Sequence, residues 1–386
     1  MQSFEFNTTH SIINEVGGLT NCSVCCSELG IEHAIIVTDK GIAALGIIDE
    51  LTQHLGQNGI ACTVFDDTTP DPATSVIETA AKLAIDAGAN GVIGIGGGSS
   101  MDCAKLVAAL LPQQQALHNM FGVNQVTVSR APLVLIPTTA GTGSEVTPIS
   151  IVTTGDTTKS GIVSRALLPD VAILDASLTL DLPAHITAAT GIDAMVHAME
   201  AYTSKIKKNV YSDMLAREAL SLLSKSIEKA VANGKDLTAR QNMMLGACMA
   251  GQAFANAPVG AVHALAYPLG GHFHVPHGLS NSLVLPHVIR FNATHAADLY
   301  SELSQIVIPW QFPHSHNTTQ RAHHLADYFT SLAKQFNLPI RLNKVGVTED
   351  DIAILAADAI KQERLLVNNP KDVLFADALR IYQIAL

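Results

Sequence analysis

The sequence has few basic and few aromatic residues. Of its 386 residues, only 23 are Lys or Arg, against 34 Asp or Glu, and aromatic residues make up 5%. Nucleic acids and anionic membrane surfaces are bound through clustered Lys and Arg, so a net charge of −11 argues against both as partners. Hydrophobic residues make up 48%, which is enough to bury large cores, and the length is typical of two domains.

The six cysteines do not have the spacing of a disulfide framework, and the N-terminus lacks the basic and apolar segments of a secretory signal. We therefore expect reduced thiols and a cytoplasmic protein. Residues 22–26 contain a C-x-x-C, but a zinc ribbon needs a second pair, so we interpret them as a buried cluster, with a redox pair as the alternative. Polar residues and prolines interrupt the longest apolar stretch, so no run of about 20 apolar residues is predicted to span a membrane.

Charged residues are absent from positions 241–289, although they make up 15% of the chain. Such a stretch is predicted to be buried, and buried imidazoles must be hydrogen-bonded or bound, because an unpaired polar group costs about 1–3 kcal/mol. Upstream, Asp193 and His197 are four residues apart, which on a helix places both on one face. A carboxylate and several imidazoles in an apolar setting predict a divalent metal site. The five histidines of the uncharged stretch are His263, His272, His274, His277 and His287.

The pattern of elements changes near residue 181. Before it, short apolar runs alternate with helical segments, which predicts an α/β domain with a mostly parallel, Rossmann-like sheet over residues 1–181. After it, helical patterns predict an all-α domain over residues 182–386, with a polar loop at 308–318. The predicted strands are 34–38, 61–65, 91–95, 133–136 and 171–174. The predicted helices include 72–87, 101–111, 184–204, 209–232, 236–256, 318–336, 349–361 and 371–385.

Two loops rich in glycine and hydroxyl groups, at 94–102 and 137–145, follow predicted strands. Glycines let a phosphate approach the backbone, and a helix N-terminus supplies N–H groups. The G-x-G-x-x-G fingerprint is broken by Ser99, and the best candidate for a ribose-binding acid, Asp39, precedes the loop instead of following it. The loops therefore indicate a dinucleotide-binding fold whose strands are connected in a different order. Alternatively, each loop serves only tight strand–helix packing or caps a helix. Taken together, the two loops favour a bound phosphate or pyrophosphate.

Several segments together resemble the iron-containing (group III) alcohol dehydrogenases, in the same order along nearly the whole chain. The resemblance implies a dehydroquinate synthase-like architecture, with a dinucleotide-binding domain, a helical metal-binding domain and an active site between them. The matching segments are residues 96–105 (GGGSSMDCAK), 137–147 (PTTAGTGSEVT), 191–200 (GIDAMVHAME), 263–270 (HALAYPLG) and 276–278 (PHG).

The resemblance also implies site residues. The metal ligands would be Asp193, His197, His263 and His277, which suit Fe²⁺ or Zn²⁺ among other divalent ions. A carboxylate at Asp39 would accept from a ribose 2′-hydroxyl and repel a 2′-phosphate, so we expect NAD in preference to NADP. Cofactor contacts would fall on Asp39, Gly97, Gly98, Ser99, Thr138, Thr139, Thr147, Lys159 and Leu178.

The chain departs from many relatives at several positions. Asp71 stands where many relatives have Asn near the adenosine pocket, and its charge again disfavours NADP. Ile149 stands near a position where some diol-specific relatives carry Asn, which suggests a pocket less suited to polyols. Tyr267 replaces a second His, so the proton route would run through Tyr267, His272, His274 or water. Phe254 would face the nicotinamide and the substrate.

The expected activity is a metal-dependent, NAD-linked interconversion of small primary alcohols and aldehydes by hydride transfer, in a homodimer or larger homo-oligomer. One alternative is a hydroxyacid–oxoacid transhydrogenase, which would keep its nucleotide through both half-reactions. Another is a lyase of the dehydroquinate synthase kind, which would need a more basic site than this sequence offers. A third is a non-catalytic nucleotide sensor, against which the full set of metal-ligand candidates argues.

Overall fold

The computed structural model describes residues 3–155, 158–309 and 317–386. They form two compact units. One spans Asn7–Asp181, and the other combines residues 3–6 with Leu182–Leu386. The segment 310–316, which holds most of the predicted polar loop, lies outside the described residues.

The unit Asn7–Asp181 is an α/β structure. Its main sheet has six parallel strands in the order β1-β9-β6-β4-β2-β3. A smaller sheet has the order β5-β8-β7 and contains the antiparallel pair β7–β8. The strands are β1 (Ser11–Asn14), β2 (His33–Val37), β3 (Ala61–Phe65), β4 (Gly91–Gly96), β5 (Gly122–Val123), β6 (Leu133–Pro137), β7 (Ile149–Thr154), β8 (Thr158–Val163) and β9 (Val171–Leu174).

Helices cover both faces of the main sheet, which explains why its central strands are short apolar runs and not alternating patterns. Strands β4 and β6 are buried along their whole length, and two apolar clusters separate the sheet from its helices. The helices of this unit are α1 (Cys22–Glu28), α2 (Lys40–Ala43), α3 (Ile47–Gln57), α4 (Thr74–Asp86) and α5 (Gly98–Leu110). Short 3₁₀ helices lie at Gly18–Asn21, Leu117–Asn119, Ser144–Val146, Arg165–Leu167 and Ala176–Thr179.

Among the described residues of the second unit, the regular elements are all helices. The uncharged stretch forms most of α8, all of α9 and the start of α10, and most of its residues are buried as predicted. None of the described helices is long and apolar enough to cross a membrane. The helices are α6 (Ala184–Thr203), α7 (Val210–Ala232), α8 (Leu237–Asn256), α9 (Ala261–Phe273), α10 (His277–Val307), α11 (Thr318–Gln335), α12 (Ile352–Ile360), α13 (Glu363–Leu366) and α14 (Phe375–Ala385), with 3₁₀ helices at Leu342–Val345 and Glu349–Asp351.

The predicted fold class is confirmed, and all five predicted strands are present. Strands β1, β5 and the pair β7–β8 were not predicted from the sequence. These strands are short or rich in Thr, Ser and Lys, as in Ile149–Thr154 and Thr158–Val163, and therefore lack the apolar runs by which the central strands were found. All six cysteines are free, and five of them are buried. The buried ones include the three cysteines of α1, which are Cys22, Cys25 and Cys26.

The connections of the main sheet place a crevice between β2 and β4. From β2 the chain moves outward to β3 and then returns to β4 on the other side of β2, so the winding direction reverses there. Ligands of open α/β sheets bind outside the carboxyl ends of the strands at such a reversal. The loops that follow β2, β4 and β6 therefore lie side by side at this edge.

Candidate functional site

Three helices of the second unit bring together one carboxylate and three imidazoles. Asp193 and His197 lie one turn apart on α6, His263 lies in the first turn of α9, and His277 begins α10. One nitrogen or carboxylate oxygen from each residue lies within 4.8 Å of the others. These are the four residues that the resemblance implied as metal ligands, and the helical face predicted for Asp193 and His197 is present.

The electrostatic state of this cluster favours a cation. Three of its members, Asp193, His197 and His263, are almost fully buried. Burial alone would raise the pKa of Asp193, but the neighbouring His197, His277 and His263 and a hydrogen bond from Asn281 lower it below its usual value. Burial, with the other two imidazoles, holds the pKa of His263 well below its usual range. At neutral pH the cluster therefore presents an ionised carboxylate and a neutral imidazole, the forms that bind metal.

A close approach of α10 to α6 sets the position of His277. Gly278 follows it, and a Cβ atom at Gly278 would lie 2.5 Å from the carbonyl oxygen of Ala189 and 3.3 Å from the Cβ of Asp193. Only glycine permits this approach without displacing the backbone. The glycine of the Pro-His-Gly segment thus holds the first turn of α10 against the turn of α6 that carries Asp193.

Glu200 is a functional residue that the sequence analysis did not single out. It lies on α6, one turn after His197, and is buried. Its Oε2 lies 2.6 Å from Nδ1 of His263, and its Oε1 accepts from the backbone N–H of Val262 at 2.7 Å. A carboxylate on one ring nitrogen fixes the imidazole tautomer and leaves the other nitrogen for a metal. The spacing of positions 193, 197 and 200 on one helical face could have identified it.

Burial raises the pKa of Glu200 to about 7, opposed by N–H groups of Val262 and Gly260 and by His197. The side chain also ties down the start of α9. The backbone N–H of Ala261, which precedes Val262, donates to Oδ1 of Asn369 at 3.3 Å. Asn369 in turn exchanges two hydrogen bonds with Asn292. His263 is therefore held both through its ring and through the helix end that carries it.

Replacing Glu200 with Gln should weaken metal binding and catalytic turnover by about 10–100-fold, because carboxylates that hydrogen-bond to metal-binding histidines typically have effects of that size. Gln keeps the volume but offers only one oxygen in place of the two that His263 and Val262 now share. Metal content after dialysis and kcat/KM would be measured together. Glu302→Gln is the matched control, because that carboxylate is half exposed and pairs with Tyr202 instead of a ligand candidate. Equal effects of the two substitutions would contradict the role given to Glu200.

The structure separates the four side chains that were considered for the proton route and the substrate pocket. Phe254 stacks on His197 with ring centroids 4.4 Å apart, and the Tyr267 ring lies 6.0 Å from that of His277. His274 is exposed, at the left-handed residue that ends α9. Glu200 and Asn281 contact the cluster through hydrogen bonds, whereas His272 bonds to Asp358 at 2.6 Å.

The carboxyl edge of the main sheet gathers most of the residues considered for the cofactor. Asp39 follows β2, caps α2 by accepting from the N–H of Ile42 at 3.1 Å, and accepts from Oγ of Ser100 at 3.2 Å. Gly96 ends β4 with φ of 147°, and a Cβ there would lie 2.7 Å from Oγ of Ser100. The loop thus brings the first turn of α5 against the carboxylate of Asp39.

The N-terminus of α5 is open to a ligand. Its N-cap residue, Gly97, supplies no side-chain hydrogen bond, so no side chain occupies the first N–H groups from that position. Thr138, at the end of the neighbouring strand β6, donates its N–H to the carbonyl of Gly96 at 2.9 Å, which aligns the two loops. A Cβ at Gly98 would lie 2.8 Å from Cγ2 of Thr142, and a Cβ at Gly97 would lie 3.8 Å from Oγ1 of Thr139. Ser99 is half buried in the same turn.

Lys105 binds the second loop to α5. Its side chain is fully buried, and its Nζ lies 2.7 Å from Oγ of Ser144, 3.2 Å from Oγ1 of Thr147 and 2.7 Å from the carbonyl of Ile149. Burial lowers the pKa of Lys105, and the nearby Asp102 and Glu145 oppose that shift. Lys105 therefore fixes the second loop against α5, and the hydroxyl of Thr147 serves this internal network.

Asp71 and the residues that contact it lie beside the same edge of the sheet. Asp71 forms an ion pair with Lys159 at 2.8 Å, and the backbone N–H of Asp71 donates to Oγ of Ser99 at 3.2 Å. The hydroxyl of Thr153 donates to the carbonyl of Asp71 at 2.8 Å. Lys159 therefore partly neutralises the extra carboxylate. Leu178, in the 3₁₀ helix after β9, packs against the apolar cluster on one side of the sheet.

The residues present fit both groups that the sequence implied. Three imidazoles and a carboxylate, mostly buried, are a donor set for a divalent transition metal such as Fe²⁺ or Zn²⁺. The uncapped N-terminus of α5, with Gly96 and Gly97 before it, fits a pyrophosphate. Asp39 offers a carboxylate at the strand end beside that loop, as a ribose hydroxyl requires.

Comparison with known proteins agrees with this arrangement. Residues 9–176 match the family model described as iron-containing alcohol dehydrogenase, and residues 187–386 match the model of the C-terminal part of the Fe-containing alcohol dehydrogenase family. Long-chain-alcohol dehydrogenase 1 of Geobacillus thermodenitrificans (strain NG80-2) is 40% identical over 368 residues, which cover 93% of this chain and 90% of that protein.

Two solved structures extend the comparison to the fold. A crystal structure of 1,3-propanediol oxidoreductase superimposes with a TM-score of 0.96 at 32% identity and covers 100% of both chains. The sulfoacetaldehyde reductase from Bifidobacterium kashiwanohense, solved in complex with NAD⁺, gives a TM-score of 0.88 at 27% identity, covering 100% of this chain and 99% of the other.

Proposed function

Because this chain belongs to the iron-containing alcohol dehydrogenase family, we propose that it interconverts small primary alcohols and aldehydes by hydride transfer to and from NAD. The observation that carries the proposal is the buried cluster of Asp193, His197, His263 and His277, with ligand atoms within 4.8 Å of one another. A purely structural cluster would have no need of three imidazoles beside one carboxylate.

We assign metal binding to these four side chains. A divalent metal held there supplies a Lewis acid that lowers the pKa of an alcohol and polarises an aldehyde carbonyl. Glu200 holds His263 in the tautomer whose Nε2 carries no hydrogen, and the depressed pKa values of Asp193 and His263 keep the carboxylate ionised and the imidazole neutral at neutral pH. Phe254, stacked on His197, gives the site an apolar wall that excludes water.

A bound nicotinamide cofactor would supply the hydride chemistry, and the edge formed by the loops after β2, β4 and β6 is the proposed surface that would hold it. The N–H groups at the start of α5 would bind the pyrophosphate, and Asp39 would accept from the ribose hydroxyls. Thr138 and Thr139 line the neighbouring loop, whereas Lys105 holds Thr147 and the Ile149 carbonyl in place from inside. For the proton, we propose Tyr267 or water, because the Tyr267 ring lies 6.0 Å from that of His277, whereas His272 bonds to Asp358 and His274 is exposed.

The test is oxidation of ethanol or 1-propanol, followed at the NADH absorbance, by protein stripped of metal and reloaded separately with Fe²⁺ and Zn²⁺. We expect NADH formation that depends on metal and on added NAD. Longer primary alcohols, 1,3-propanediol and sulfoacetaldehyde would be compared, because relatives and a structural neighbour carry those names. Turnover between an alcohol and an aldehyde or oxoacid without free NAD would instead favour a transhydrogenase. Tight NAD binding without any turnover would favour a nucleotide sensor.

We also propose that the protein is a homo-oligomer. Apolar side chains are exposed together at the start of α7, where Val210, Tyr211 and Met214 are each more than half exposed. The Phe4 ring lies 5.7 Å from that of Tyr211 and extends this patch. Sedimentation of the purified chain would measure its state, and a monomer would exclude the proposal. A cytoplasmic location is proposed from the six free cysteines, and cell fractionation would test it.

A further inference from the structure

Asn281 lies within the candidate metal cluster without being one of its four members. It is fully buried on α10, one turn after His277, so both side chains lie on the same face of that helix. Its Nδ2 lies 2.6 Å from Oδ1 of Asp193, 3.2 Å from Nε2 of His263 and 3.3 Å from Nε2 of His277. The amide therefore contacts three of the four ligand candidates.

We propose that Asn281 is a positioning residue of the metal centre, whose amide N–H donates to the Asp193 carboxylate and fixes its orientation for the metal. This inference deepens the proposed function, since it rests on the metal site assigned above. The carboxylate has two oxygens, and the contact at Oδ1 restrains its rotation about the last side-chain bond. Sequence spacing alone could not separate Asn281 from the other small polar residues of α10.

The neighbours of the amide determine which of its ends faces the cluster. Asp193 is an acceptor only, and His263 has its Nδ1 hydrogen on the Glu200 carboxylate, so its Nε2 is also an acceptor. Both require the NH₂ end of Asn281. The other end, Oδ1, is buried and has no hydrogen-bond partner among the described residues. An amide turned the other way would place that oxygen against a carboxylate.

The unpartnered oxygen indicates that this orientation serves the cluster and not the local packing. A buried acceptor without a partner costs about 1–3 kcal/mol, and such groups in native structures are uncommon and concentrate where they have a functional role. A metal bound by His263 and His277 would use their Nε2 lone pairs. The hydrogen bond to Asp193 can then persist, because an ionised carboxylate accepts several hydrogen bonds at once.

The test measures Co²⁺ binding, independently of turnover, by competition with a chelator and by the visible absorption of the Co²⁺-loaded protein. Asn281→Ala removes the amide, and Asn281→Leu removes it while keeping most of the volume. Ser280→Ala is the matched control, because Ser280 is also buried on α10 but bonds to the carbonyl of Val275. Thermal unfolding of the metal-free proteins checks the fold, and Asn281→Leu carries the test if Asn281→Ala is unfolded.

Both Asn281 variants should bind Co²⁺ about 10–100-fold more weakly than the control, with the absorption intensity per bound Co²⁺ unchanged, because the number of ligands stays the same. Loss of affinity below twofold would overturn the inference. A change in band intensity would also overturn it, since Asn281 would then be a direct ligand. Failure of the unsubstituted protein to bind Co²⁺ would instead remove the metal site itself, and with it both this inference and the proposed function.

Discussion

Replacing Asp193 with Asn should lower kcat/KM for alcohol oxidation by about 1,000-fold or more and reduce bound metal after dialysis. The substitution removes the only negative charge among the four ligand candidates while changing the side-chain volume very little. A metal's stabilisation of a developing alkoxide is worth several kcal/mol, and about 4 kcal/mol corresponds to a factor of about 1,000 in rate.

The substitution should leave the fold intact. Burial opposes the charge of Asp193, and the three imidazoles offset that cost, so a neutral amide removes both effects at once. Metal-free thermal unfolding should therefore shift little. NAD binding, which is assigned to the α/β unit, should not change, and NADH fluorescence would measure it. This separates a defect at the metal cluster from general loss of structure.

Asp358→Asn is the matched control for this prediction. Asp358 also pairs with an imidazole, that of His272 at 2.6 Å, and it lies in the same unit but outside the cluster. It should keep near-normal activity and metal content. If Asp193→Asn retained a tenth of the activity, or if the two substitutions had equal effects, the assignment of Asp193 as a ligand would be wrong.

The parts of the fold that the sequence predicted are those encoded locally. The strands β2, β4, β6 and β9 are short apolar runs between turns, because helices bury both of their faces. The pairing of Asp193 with His197 follows from helical spacing, and the absence of charge predicted the burial of His263. Each of these signals lies within a few residues of the position it describes.

The contacts that hold the ligand candidates in place are not local, which explains why the sequence did not give them directly. Glu200 and His263 are 63 residues apart, and Asn281 and Asp193 are 88 residues apart. The hydrogen-bond partners of Lys105 lie about 40 residues further along the chain, in the second loop and at the start of β7. Strand β7 was itself not predicted. His274 illustrates the converse, since its place among the histidines made it a candidate for the proton route, whereas the structure leaves its side chain exposed.

Replacing Asp39 with Asn should raise the ratio of kcat/KM with NADP to that with NAD by about 100-fold. A 2′-phosphate placed beside the carboxylate would meet a like charge, which costs several kcal/mol, and about 3 kcal/mol corresponds to a factor of about 100. Asn is also a good N-cap, so its oxygen can still accept from the N–H of Ile42, and the start of α2 should be preserved.

Two further substitutions test whether the change in the NADP-to-NAD ratio is specific to the carboxylate of Asp39. Asp71→Asn should shift the ratio by a smaller factor, because Lys159, 2.8 Å away, already neutralises part of the charge of Asp71. Asp86→Asn, at an exposed ion pair with Lys82 on α4, should leave the ratio unchanged. Rates with both cofactors would be measured at low ionic strength, where repulsion between exposed charges is least screened.

The outcome also tests whether the ribose-binding acid of this fold precedes the glycine-rich loop along the chain. In the common dinucleotide fold the ribose-binding acid follows the glycine-rich loop along the chain, whereas Asp39 precedes it by about 60 residues and reaches the same place because β2 and β4 are neighbours. A ratio that moves less than threefold in Asp39→Asn would mean that the ribose lies elsewhere along the edge. The contact between Asp39 and Ser100 would then serve only to hold the first turn of α5.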